Sequence, residues 1–192
     1  MSSWHLEESG RGFSFLRNES LDMRYSPLNQ LTAEKIVNYW SESEIEKILK
    51  EYGEERFAKK IAKQIIETRR LKPIKTTFQL VGIIKCAVPT WYQHQKIHFA
   101  TKSFQALRIA VNDELNNLER ALPQAVEVLN SGGRLVAISF HSLEDRIIKD
   151  FFRGRASVNL KILTKKPVRP SNDEIKINPS SRSAKLRAAI KL

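Results

Sequence analysis

A change of hydrophobic period near residue 102 constrains this sequence most. Before it, apolar residues recur with helical spacing; after it, helical segments alternate with short apolar runs of strand type. In the first part, Thr32 is an N-cap before AEKIVNYW, and Ser41 with Glu44 makes a capping box, each side chain satisfying the other's free backbone N–H. The helix it opens carries Ile45, Ile48, Leu49 and Tyr52 on one face, and Gly53 is placed to stop it. EERFAKKIAKQIIETRR then sets Phe57, Ile61 and Ile65 one turn apart. Thr76 and Gln79 repeat the box ahead of Leu80, Ile83 and Ile84, and Pro89 closes that segment. The pattern predicts an all-helical block over 31–88.

The second part reads differently. A long helix is predicted from Ser103 through Phe104, Leu107, Val111, Leu115 and Leu118, with Pro123 opening another that Gly132 and Gly133 end. RLVAISF is an apolar run of the kind that fills a buried parallel strand. His-Ser-Leu-Glu-Asp-Arg leads into a helix in which Ser142 is the expected N-cap and Asp145 the capping-box partner. A second strand is predicted at 158–163, then a basic loop at 165–183. The closing AKLRAAIKL alternates, with Ala184, Leu186, Ala188, Ile190 and Leu192 on one face and Lys185, Arg187 and Lys191 on the other, as in a half-exposed strand. Helices and strands in this order make half of an α/β sheet domain. No Gly-rich strand-to-helix turn for a nucleotide is present, since GGRL precedes its strand.

Composition narrows the function. The single Cys86 cannot form an internal disulfide, and four histidines with it give no zinc-type cluster, so no metal is expected. No apolar run is long enough to span a bilayer and no export signal is visible, which points to a reducing cytoplasm. Of the net charge of +12, the last 42 residues carry +9, which suits a polyanion-facing surface as well as a solvated tail. Residues 9–30 read as an ordered loop anchored by Phe13 and Phe15. The stretch 88–102 is read as a loop whose Trp91, Tyr92, His94, His98 and Phe99 either stack on bases or plug a joint, packing being the commoner use of such aromatics.

Six strings then carry a resemblance. They are GRGFSF at 10–15, LDMR at 21–24, EYGEERFAKKIA at 51–62, FQALRIAVNDEL at 104–115, GGRLVAISFHSLEDRI at 132–147 and SRSAKLR at 181–187. In this order they resemble the bacterial ribosomal RNA cytosine-N4 methyltransferases, the MraW family. The resemblance implies a Rossmann-like fold that uses S-adenosylmethionine to methylate a cytosine of small-subunit ribosomal RNA, with the RNA or its 30S subunit as partner. It also implies that 1–30 is a remnant of the methyltransferase core, 31–101 an inserted helical domain and 102–192 the C-terminal half of the core. In that fold 134–140 lies beside a strand upstream of Met1, so the strand at 184–192 is expected in the middle of three, leaving 134–140 as an open apolar edge. The chain is similar to the family from within a motif like Asp-Leu-Gly-Val-Ser-Ser-x-Gln. Ser2 and Ser3 match its serines, and His5 falls where a donor-contacting Gln is usual. The Gly-rich donor loop and an acidic ribose partner are expected upstream of Met1.

The candidate residues follow. Ser2, Ser3 and His5 are the remaining members of the donor side, with a frayed terminus as the alternative. His141 and Ser142 follow the strand at 134–140, where ligands of such folds sit. Arg108 and Asn112, one turn apart, form a polar stripe for RNA phosphate or base, and Arg182, Lys185 and Arg187 belong to the basic surface. No catalytic residue is singled out. The rival reading is a non-catalytic RNA-binding or ribosome-assembly module, and the open edge invites self-association.

Overall fold

The predicted caps open the first helices. The structure, a computed structural model, describes Trp4, residues 8–156 and residues 158–192, in two units divided after Asp113. In the first unit, helix α1 (Ala33–Tyr39) starts at Thr32, whose hydroxyl accepts from the Lys35 amide. The complete Ser41–Glu44 box opens α2 (Glu42–Glu51), and the complete Thr76–Gln79 box opens α4 (Thr77–Ala87). Helix α3 (Ala58–Leu71) has no capping side chain at Phe57. Instead the buried Glu55 carboxylate accepts from the Phe57 amide at 2.9 Å and from the Tyr92 hydroxyl at 3.1 and 3.0 Å. Gly53 follows α2 because a Cβ there would lie 2.7 Å from the carbonyl oxygens of Leu49 and Lys102. The positive φ falls on the next residue, Glu54.

Short helix α5 (Thr90–Gln93) occupies part of the predicted loop, and α6 runs Thr101–Asn112. Ile36, Ile45, Leu49, Ile61, Ile65, Leu80, Ile84 and Leu107 make one buried core. Phe13 belongs to it, as expected of an anchor, but so do Leu21 and Met23, which showed no period to reveal them. Phe15 is partly buried and stacks on His98 at 4.5 Å.

The long helix predicted from Ser103 is broken. Asp113 takes a left-handed conformation (φ 49°, ψ 40°), which ends α6, and α7 (Glu114–Glu127) begins the second unit. Pro123 lies inside α7 rather than opening a helix. The ring forfeits one backbone bond, to the carbonyl of Glu119, but that residue is exposed and water can replace the donor.

Strands β1 (Arg134–Ser139), β2 (Leu160–Ile162) and β3 (Lys185–Lys191) form an antiparallel sheet in the order β1-β3-β2, with the C-terminal strand in the middle as expected. Leu135 pairs with Ala189 and Ala137 with Arg187, and this face packs on α7 and on α8 (Ser142–Arg155) through Leu122, Val126, Ile148 and Phe152. The alternation of β3 is therefore used against expectation. Arg187 and Ala189 are its buried residues, while Leu186, Ala188 and Ile190 share the other face with Val136 and Ile138. The reason is an ion pair that draws Arg187 inward, and Lys191, whose ammonium donates to the carbonyls of Val126, Glu127 and Leu129 at the end of α7. Strand β1 is neither parallel nor buried on both faces as expected: among the described residues it pairs with β3 alone, antiparallel, and, with helices on one face only, Val136, Ile138 and Phe140 are 52, 56 and 53% exposed. Helix α9 (Asn172–Ile177) and a 3-10 turn (Pro179–Ser183) lie in the predicted basic loop.

Candidate functional site

The turn from β1 into α8 collects the polar side chains of the second unit. Its N-cap is His141, one residue earlier than expected. The imidazole Nδ1 accepts from the Glu144 amide at 3.3 Å, and Glu144 Oε2 accepts from the amides of Phe140 and His141 at 2.9 and 3.4 Å. Ser142 is already the first helical residue. Asp145 cannot serve as box partner because Arg187 claims it, with Nε donating to Oδ1 at 2.7 Å and a second nitrogen to Oδ2 at 3.2 Å. Lys185 adds a contact at 3.5 Å. These cationic hydrogen bonds, Arg187 first, hold the Asp145 carboxyl below its usual range against a smaller opposing effect of burial.

Glu114, at the start of α7, brings a carboxylate oxygen to the same place, so that one ligand atom each from Glu114, His141 and Glu144 lie within 4.8 Å of one another. These are the described residues able to hold a metal. Their hydrogen bonding favours a different use. With Nδ1 accepting from a backbone amide, the neutral imidazole carries its proton on Nε2, which leaves no lone pair there for a cation.

At the β1–α8 turn the Glu144 carboxylate occupies the amides of Phe140 and His141, so these two groups are not available to the methyl donor that the resemblance implies. Ser2, Ser3 and His5 lie outside the described residues.

The remaining candidates separate. Asn112 faces inward: its Oδ1 accepts from the Tyr25 amide at 2.8 Å, and its Nδ2 donates to the carbonyls of Met23 and Arg108 at 2.7 and 2.9 Å. This clamps the LDMR segment against α6, where Met23 holds a φ of 59°. Within that segment Asp22 and Arg24 are hydrogen-bonded at 2.8 Å. Arg108 is half-buried. Arg182 is exposed on the 3-10 turn, while Arg187, 7% exposed, and Lys185 spend their charge on Asp145. The sequence carried no signal of this pairing, because 42 residues separate Asp145 from Arg187. Of the aromatic stretch, Tyr92 and Phe99 are buried in the core of the first unit, whereas Trp91 is exposed.

Comparison with known proteins agrees with the motifs. The chain is 53% identical over 178 residues to the ribosomal RNA small subunit methyltransferase H of a Sulfurihydrogenibium strain, covering 92% of this chain and 61% of that protein. Proteins of the same name from Thermosipho melanesiensis and Synechocystis are 53 and 50% identical over 190 and 192 residues, covering 98 and 100% of this chain and 63 and 61% of theirs. The chain thus spans roughly three-fifths of the length of these relatives. A model of the MraW methylase family matches residues 1–192, and the chain belongs to that family.

Proposed function

We propose that this chain is the substrate-side and C-terminal portion of an enzyme that transfers a methyl group from S-adenosylmethionine to N4 of a cytosine in small-subunit ribosomal RNA. The observation that carries the reading is the family match along all 192 residues. The helical block at 31–101 supplies the inserted RNA-side domain, and residues 102–192 belong to a Rossmann-like core. The cytosine N4 lone pair is delocalised into the ring, so catalysis rests on holding its N–H in line with the methyl group. On this reading His141 and Ser142 stand at the carboxyl end of β1, where a substrate would lie, and Arg182 is the basic-surface candidate not spent on Asp145. A cytoplasmic location follows from the substrate. The uncovered face and edge of β1 support self-association as a further property.

The second reading, a non-catalytic RNA-binding module, is favoured by the net charge of +9 carried by the last 42 residues. A chimera separates the two. This chain would replace the matching segment of the Thermosipho melanesiensis relative, and small-subunit RNA treated with the chimera would be digested and assayed for N4-methylcytidine by mass spectrometry. The modified nucleoside is expected. A folded chimera that binds S-adenosylmethionine but leaves the RNA unmodified would overturn the first reading and favour the second.

A further inference from the structure

The first unit places an exposed tryptophan inside a basic surface. Trp91 and Tyr92 are neighbours on α5 with opposite fates. Tyr92 is buried with its hydroxyl on Glu55, whereas Trp91 is 52% exposed. The indole is held from below by edge-on contacts with Phe57 and Tyr92, at centroid distances of 5.9 and 5.8 Å. The Arg56 guanidinium lies 5.6 Å from the Trp91 ring centroid and 5.9 Å from that of Phe57. The Lys60 ammonium lies 5.8 Å from the Phe57 ring centroid. Arg56, Lys59, Lys60 and Lys63 are all exposed along the start of α3, and Glu67 approaches Lys63 only at 3.8 Å.

This combination has a chemical meaning. A fold gains by burying a tryptophan, yet here the ring is fixed in orientation while much of it stays in water. A guanidinium plane beside a rigid indole, with ammonium groups within one helical turn, matches a ligand that is both flat and anionic. Unpaired nucleotides are such ligands, offering a base to the ring and a phosphate to the cations. A duplex hides the faces of its internal bases, and an acidic chain such as polyglutamate has no aromatic ring to stack. We propose that Trp91 and Arg56 form a base-stacking subsite for single-stranded RNA on the helical unit, with Lys59 and Lys60 taking the adjoining phosphates. The inference rests on the RNA-methyltransferase reading and names where RNA outside the reacting nucleotide is held.

The test uses the 192-residue chain and a fluorescein-labelled, unpaired 12-nucleotide RNA, followed by anisotropy at fixed salt. Stacking of a base on an aromatic ring predicts that Trp91→Ala weakens binding about 5- to 100-fold, while Trp91→Phe stays within roughly threefold. A duplex of the same length should be indifferent to both. Lys59→Ala with Lys60→Ala should lower the slope of log affinity against log salt by about 0.7 for each phosphate no longer neutralised. Trp91→Ala loses packing on Phe57 and Tyr92 and should melt somewhat lower, so binding is compared well below its melting temperature, where its ellipticity should match the parent. If Trp91→Ala binds the single strand as the parent does, or if polyglutamate competes as well as RNA, the subsite is refuted. Either result leaves the chimera assay untouched, so failure of the subsite and failure of the enzyme reading are distinguishable.

Discussion

The ion pair between Asp145 and Arg187 makes a prediction whose size follows from its surroundings. Arg187 is 7% exposed, and 14% of the Asp145 side chain reaches solvent. Arg187→Met keeps the apolar stem and removes the two hydrogen bonds, at 2.7 and 3.2 Å. Stripping one partner from a buried pair costs about 3–5 kcal/mol. Asp145 retains Lys185 at 3.5 Å and some water, so the cost should fall to about 2–3 kcal/mol. The double variant Asp145→Leu/Arg187→Met leaves no orphaned charge and should recover to within about 1 kcal/mol of the parent. The assay exploits the distribution of chromophores: all three Trp and all four Tyr lie before residue 114. Intrinsic fluorescence therefore follows the first unit, whereas far-ultraviolet ellipticity follows the helices of both. At a urea m-value of about 1 kcal/mol/M for a unit of this size, Arg187→Met should lower the ellipticity midpoint of the second unit by about 2–3 M. A cost below about 0.5 kcal/mol, or a double variant weaker than the single, would refute the buried-pair argument.

Three other outcomes are expected. Val136→Lys and Ile138→Lys should abolish self-association in sedimentation while changing stability by less than about 0.5 kcal/mol, since both side chains are more than half exposed; association that survives them places the contact elsewhere. Burial lowers the His98 pKa from its ordinary 6.5, so the folded state excludes a proton that the unfolded chain takes up. Fluorescence-detected stability should therefore decline as pH falls below about 6.5, and His98→Gln should remove that dependence; an unchanged pH profile in the variant would assign the decline to other groups. Asn112→Ala should cost about 1–3 kcal/mol by leaving the Tyr25 amide and Met23 carbonyl without their partner, and a neutral effect in urea denaturation would show that the clamp is dispensable.

Local rules were sufficient wherever one short segment satisfies itself. The boxes at Ser41–Glu44 and Thr76–Gln79, the cap at Thr32, and the apolar faces of α2 and α3 are all legible in the sequence. Six strings in order were enough for the family. Tertiary structure decided what depends on partners distant along the chain. It shifted the α8 cap from Ser142 to His141, because Asp145 is drawn to Arg187 across 42 residues. It buried the charged face of β3, because helices cover that side of the sheet and Lys191 finds the carbonyl end of α7. It broke the long helix at Asp113, and it placed Leu21 and Met23 in the core though nothing periodic marks them. It also separated Trp91 from Tyr92 on one helical turn, burying the ring whose hydroxyl could reach Glu55 and leaving its neighbour in water. Periodicity reports which faces can be buried; only the packed chain settles which polar groups find partners, and those pairings decide which cations stay exposed.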